Sequence, residues 1–163
     1  MNLTDKISKI KIVLADIDGV LTDGSLYYTS EGLQMKKFNV KDGMGAVMLK
    51  ENGYKVGIIS SDKSAIAQAR ADKLKLDFVH YGVENKLNII DEICTSNNVT
   101  KDEIAYMGDD EIDLEVLTNV GFSACPSDAI KPVRDCVNFI SSKQGGHGAF
   151  RELADLIIKN RTK

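Results

Sequence analysis

Short apolar runs separated by longer mixed stretches set the pattern of the chain. IKIVLADI (10–17) is brief, rich in Ile and Val, and apolar on both alternating sets of positions, as a strand buried on both faces of a parallel sheet must be. YKVGIIS (54–60), DFVHY (77–81), EIAYMG (103–108), GFSAC (121–125) and VNFI (137–140) repeat that signature. Between them, helical spacing is predicted over MGAVMLKEN (44–52), SAIAQARADKL (64–74), NKLNIIDEICTSN (85–97), DLEVLTN (113–119), the segment around IKPVRD (130–135) and AFRELADLIIKN (149–160). Asp42 is placed to cap the first of these helices and Gly53 to end it. Strands alternating with helices predict an α/β fold: a doubly wound, Rossmann-like parallel sheet with helices on both faces. SLYYTS (25–30) and LQMKKFNV (33–40), joined by Glu31-Gly32, break the alternation and predict a β-hairpin directly after the first strand. With no repeat, low-complexity tract or linker, residues 1–163 are expected to form a single domain.

Composition narrows the class. A net charge of −3, with 43% hydrophobic and 28% charged residues, fits a globular chain and argues against a general nucleic-acid surface. No apolar run approaches the ~20 residues of a membrane-spanning helix, and MNLTDKISKIK lacks the apolar stretch of a signal peptide, so a cytoplasmic protein is expected. Cys94, Cys125 and Cys136 are widely spaced and form no C-x-x-C pair, which points to reduced thiols rather than a disulfide framework or a zinc site.

The chemistry gathers at strand ends. LADIDGVLTDG (14–24) closes an apolar strand with Asp16 and Asp18, two apart and so directed to one side, followed by Gly19, which lets the backbone turn sharply. In a doubly wound sheet, ligands collect beyond the carboxyl ends of the strands. Ser60 ends a second strand, Lys86 follows a third, and YMGDDEID brings Asp109, Asp110 and Asp113 after a fourth. Carboxylates, a hydroxyl and an amine on one rim suit phosphoryl transfer. A carboxylate attacks phosphorus, a second handles protons, and a hard cation such as Mg²⁺, held by oxygen ligands like Asp16 and Asp109, offsets the repulsion. Lys86 and Ser60 would neutralise phosphate. Each piece alone has a plainer reading: a cap, a solvated lysine, a helix start.

Taken in order, D-x-D-G-V-L-T-D-G, a strand ending in Ser, then Lys, then G-D-D-x-x-D resembles the haloacid dehalogenase superfamily, and within it the 3-deoxy-D-manno-octulosonate (KDO) 8-phosphate phosphatase family with its relatives acting on nonulosonate 9-phosphates. KKFNVKDGMG, GVENK and GGHGAFRE extend the likeness over nearly the whole chain. The resemblance implies an Mg²⁺-dependent phosphatase that forms an aspartyl phosphate. Asp16 would be nucleophile and metal ligand, Asp18 acid/base and metal ligand through its carbonyl, and Asp109 a further ligand. Ser60 and Lys86 would bind phosphate, with Asp110 and Asp113 in support. It also implies a homotetramer in which GGHGAFRE reaches an adjacent site and Arg151 meets a sugar carboxylate.

Two features bear on substrate. The segments between Asp18 and Ser60 and between Ser60 and Lys86 are too short for a cap domain, so a neighbouring subunit is the expected cover, and the hairpin, with Leu26, Tyr28, Met35 and Phe38 at alternating positions, is the surface expected to pair with its copies. Where octulosonate phosphatases tend to carry Gly-Arg, this chain has Ser61-Asp62, and an acid there resembles the nine-carbon relatives. Asp42-Gly43 is the octulosonate-like pairing, so Asp62 is a candidate substrate contact and either sugar acid phosphate fits. Two rivals weigh less. A receiver domain places its acidic pair first and its phosphoacceptor mid-chain, the wrong order here, and a non-catalytic oligomerisation module has no need of Asp16, Asp18, Lys86 and Asp109 together.

Overall fold

In β1 (Ile12–Ala15) all four side chains are buried. Val13 and Ala15 enter one apolar cluster and Ile12 and Leu14 another, so the strand separates two cores. The computed structural model describes residues 3–161. After a short helix α1 (Leu3–Ile7) and β1 come the antiparallel strands β2 (Thr22–Thr29) and β3 (Gly32–Phe38), α2 (Val40–Glu51), β4 (Lys55–Ile59), α3 (Ala65–Leu74), β5 (Phe78–His80) and α4 (Lys86–Asn97). β6 (Ile104–Met107), α5 (Leu114–Leu117), β7 (Phe122–Cys125), α6 (Lys131–Cys136), β8 (Phe139–Ile140) and α7 (Ala149–Lys159) complete the order.

Six strands form one parallel sheet in the order β5-β4-β1-β6-β7-β8. Helices α2, α3 and α7 bury Leu49, Ala67, Ala71, Phe150, Leu153 and Ile157 against one face. On the other face α4, α5 and α6 bury Ile90, Ile93, Val116, Leu117 and Val133. The doubly wound sheet expected from the alternating pattern is therefore present. Only the hairpin and α2 lie between β1 and β4, and only α3 lies between β4 and β5, so no cap domain covers the rim.

Two local expectations are corrected. α2 begins at Val40 with Asn39 as its cap, the Asn39 side chain accepting from the Lys41 amide. Asp42 lies inside the helix, buried, where its carboxylate accepts the Gly148 and Arg151 amides at 3.1 Å each. It thus caps the amino end of α7 from across the molecule, because the unpaired first N–H groups of a helix attract an anion. In the hairpin, register shifts between Thr22 and Leu26 and between Tyr27 and Tyr28 break the simple alternation. Leu26, Tyr27, Tyr28 and Met35 are all exposed, while Phe38 packs against the core.

Candidate active site

The strand parity that sorts the core also aims the acids. Asp16 continues the Ile12–Leu14 set, toward the face carrying α4 and α5, and from there Lys86 and Asp113 meet it. Lys86 is the first residue of α4, where the helix dipole disfavours a cation. Its ammonium is nevertheless buried, 2.8 Å from Asp16 Oδ2 and 2.8 Å from Asp113 Oδ1. Burial works to lower the Lys86 pKa, but the two carboxylates outweigh it and raise it, so the amine stays charged.

Asp113 is saturated. Its Oδ1 accepts from Lys86 and from the Tyr106 hydroxyl at 2.7 Å, and its Oδ2 accepts the Asp109 and Asp110 amides at 2.9 and 3.3 Å. Four donors on one carboxylate make it a brace that fixes both the lysine and the loop after β6. Gly108 is required beside it, since a Cβ there would lie 2.4 Å from Asp113 Cγ.

Asp109 presents the opposite case. Oxygens of Asp16, Asp109 and Asp113 lie within 4.8 Å of one another, and Asp109 Oδ1 is buried with no hydrogen-bond partner among the described residues. Burial, then repulsion from Asp16, Asp113 and Asp110, pushes the Asp109 pKa up to about 8. Burial also lifts Asp16 to about 6, against the pull of Lys86. An orphaned buried oxygen among carboxylates that outnumber the one lysine held between them is the environment a hard divalent cation satisfies. Gly19, at φ +79°, makes room for this pair, because a Cβ there would sit 2.0 Å from Asp109 Oδ2.

Asp16, Asp18, Gly19, Ser60, Ser61, Asp62, Asp109 and Asp110 all border one cavity of about 300 Å³ at the carboxyl ends of β1, β4 and β6. Ser60 is buried, and its hydroxyl oxygen accepts the Asp62 amide at 3.2 Å. Asp110 is exposed and caps the turn that leads into α5. Arg151 stands apart. It lies in the first turn of α7, its Nε is 2.9 and 3.0 Å from the two Asp155 carboxylate oxygens, and it does not border the cavity of its own chain. The glycines before it are not a loose link: the Gly146 amide donates to the Val20 carbonyl at 2.9 Å, and a Cβ on Gly145 would lie 1.9 Å from the Gly19 carbonyl oxygen.

Three participants escaped the sequence reading. Tyr106 was hidden because its strand reads as uniform core, although it shares the parity of Ile104 on the α4 side. Ser61 has a buried hydroxyl without a partner among the described residues. Lys36, in the KKFNV block, places its ammonium 2.6 Å from Asp18 Oδ2 and 2.8 Å from Asp62 Oδ2.

A capless parallel sheet that converges an aspartate pair, a hydroxyl, a buried lysine and an acidic loop on one rim defines a hydrolase class, and residues 58–153 match the family model for haloacid dehalogenase-like hydrolases. Among curated relatives, the KDO 8-phosphate phosphatase of Haemophilus influenzae is 35% identical over 99% of this chain and 89% of its own length. A crystal structure of the KDO 8-phosphate phosphatase of Moraxella catarrhalis, in complex with magnesium, phosphate and KDO, superposes with a TM-score of 0.94 at 34% identity, covering 97% of this chain and 91% of that one. That of a probable phosphatase of the YrbI family from Pseudomonas syringae gives 0.95 at 38% identity, covering 98% and 90%. The chain belongs to the KDO 8-phosphate phosphatase family of the haloacid dehalogenase-like hydrolases, and it is a phosphatase.

Proposed function

We propose that this chain hydrolyses KDO 8-phosphate through an aspartyl-phosphate intermediate with Mg²⁺ as its cofactor. The observation that carries this reading is the orphaned Asp109 oxygen beside the Lys86-held Asp16, in a chain similar throughout to an enzyme captured with magnesium, phosphate and KDO. The donor set fits a hard cation: Asp16 and Asp109 offer carboxylate oxygens, Asp18 its carbonyl, and Asp113 is already committed to four donors. When bound, the ion supplies positive charge against the phosphate oxygens.

Asp16 attacks phosphorus, forming a P–O bond to its carboxylate as the ester P–O bond breaks, and Asp18 gives its proton to the leaving oxygen. Water then attacks the phosphoenzyme, Asp18 takes its proton, and the bond to Asp16 breaks to release inorganic phosphate. Lys86 and Ser60 hold charge on the transferring phosphoryl group throughout. Asp62, with Lys36 beside it, favours one further reading, a nine-carbon nonulosonate 9-phosphate. In the proposed assembly, a cytoplasmic homotetramer of one-domain subunits, the exposed Leu26, Tyr27, Tyr28 and Met35 of the hairpin meet their copies, and Arg151 serves a neighbour's sugar carboxylate.

Phosphate release measured in parallel from KDO 8-phosphate and nonulosonate 9-phosphates, with Mg²⁺ and with EDTA, tests this. Preference for the eight-carbon ester and loss in EDTA are expected. A preference for nine carbons moves the assignment to the second reading, and full activity in EDTA refutes the cofactor.

A further inference from the structure

Lys36 lies on the inward side of β3, as Phe38 does. Most of the hairpin is exposed, and the adjacent Lys37 is 57% exposed in a surface pair with Asp23, yet the Lys36 side chain is only 1% exposed. Register shifts interrupt the hairpin on both sides of the Leu26–Lys36 and Tyr27–Met35 pairs. Irregularities of this kind recur beside active sites. From the side it shares with Phe38, Lys36 enters the rim, where its ammonium joins Asp18 from the loop after β1 to Asp62 from the loop after β4. Asp62 is held a second time through the same oxygen by the Ser64 hydroxyl.

The two oxygens of Asp18 are treated unequally. Oδ2 is bound by Lys36 at 2.6 Å, whereas among the described residues Oδ1 has only the Thr22 hydroxyl at 3.5 Å, the far limit of a hydrogen bond. A carboxylate free to rotate presents either oxygen, or neither, to the leaving group. One clamped by a charge-assisted bond at Oδ2 presents Oδ1. We propose that Lys36 is a positioning residue for proton transfer: the hairpin inserts it to fix Asp18 with one oxygen toward the ester oxygen that departs. This rests on the assignment of Asp18 as the acid/base, and it makes the hairpin part of the catalytic apparatus as well as an outer surface.

Leaving-group dependence separates positioning from mere support. 4-Nitrophenolate departs without a proton, while benzyl alkoxide needs one. For each ester kcat/KM reports formation of the phosphoenzyme, whatever limits later turnover. In the Mg²⁺-loaded enzyme, Lys36→Met is expected to lower kcat/KM for benzyl phosphate by about 10²-fold, the scale of a misplaced acid, and for 4-nitrophenyl phosphate by less than about fivefold. With the latter ester kcat and KM should fall together, because the water that attacks the phosphoenzyme still needs Asp18 as base. Lys36→Arg, which keeps both ion pairs within reach, should restore most of the benzyl phosphate rate. Lys36→Gln, closer in size and polarity, repeats the comparison if the Met variant does not fold. Equal losses for both esters, no loss for either, or no recovery with Arg would overturn the proposal. A wild-type enzyme that cleaves both aryl and benzyl esters but not KDO 8-phosphate would instead count against the substrate assignment alone.

Discussion

The acidic loop should carry a proton that Mg²⁺ expels, and the proton should be visible in stability. In the metal-free protein Asp109 titrates at about 8 against 3.8 for a free aspartate, because burial and three neighbouring carboxylates disfavour its charge. Between those values the folded chain holds a proton that the unfolded chain has lost, so folding is favoured at low pH and stability falls as pH rises. Each pH unit costs about 1.4 kcal/mol per proton, which integrates to roughly 2–3 kcal/mol between pH 5.5 and 7.5 for a group titrating at about 8. Asp16, raised to about 6, has the same sign and adds about 1 kcal/mol near the acid end of that window. For a chain of this size, the Asp109 contribution corresponds to a fall in Tm of about 5–10 °C. Melting curves in EDTA should therefore decline across this range, and saturating Mg²⁺ should flatten them by supplying the missing charge. At pH 7, Mg²⁺ added to weakly buffered protein should release about one proton per site. Asp109→Asn should abolish the release and most of the slope, leaving the smaller Asp16 share at the acid end. A metal-free Tm that stays flat or rises from pH 5.5 to 7.5, or a slope as steep in Asp109→Asn as in the wild type, would refute the reasoning.

Three further outcomes test separate parts of the site. Asp16→Asn should lower turnover of any phosphomonoester by about 10⁴-fold or more while the circular dichroism spectrum is kept, since the nucleophile is lost and Lys86 retains Asp113. Gly19→Ala should cost about 1–3 kcal/mol in urea unfolding and weaken Mg²⁺ binding in titration calorimetry, because φ is +79° and the new Cβ would press on Asp109 Oδ2. Arg151→Ala should reduce kcat/KM for KDO 8-phosphate by about 10–100-fold but that for 4-nitrophenyl phosphate by less than about twofold, the difference being the bidentate pair only a sugar acid can make; equal losses would confine Arg151 to its Asp155 pair.

The sheet was legible because a parallel strand buried on both faces leaves a local mark: four or five apolar residues in a row, as in Ile12–Ala15 and Ile104–Met107. The positions of Asp16, Ser60 and Asp109 followed, since each ends such a run and the rim lies where the runs end. Contacts that depend on how distant elements pack left no such mark. Asp42 read as a local cap because it precedes an apolar helix, yet its partners are the amides of Gly148 and Arg151. Lys36 carried no assignment in the sequence. Alternation puts it on the side of Phe38 and Lys37 on the other, but that its ammonium ends between Asp18 and Asp62 depends on how the hairpin lies over the rim, which a local pattern does not report. Tyr106 vanished into a core strand because hydropathy is blind to where its hydroxyl ends, beside Asp113 and Lys86.

The loop that carries Asp16 and Asp18 is braced from far along the chain. The Gly146 amide donates to the Val20 carbonyl, and Gly145 packs so closely on the Gly19 carbonyl that a Cβ would not fit. The amino end of α7 depends in the same way on Asp42, 106 residues before Gly148. The rim is therefore completed by pairings of high sequence separation, which form against a large loop-closure entropy. A cut before Gly145 removes the bond to Val20 together with Phe150, Leu153 and Ile157 of α7, so it strips one face of the sheet as well as loosening the aspartate loop.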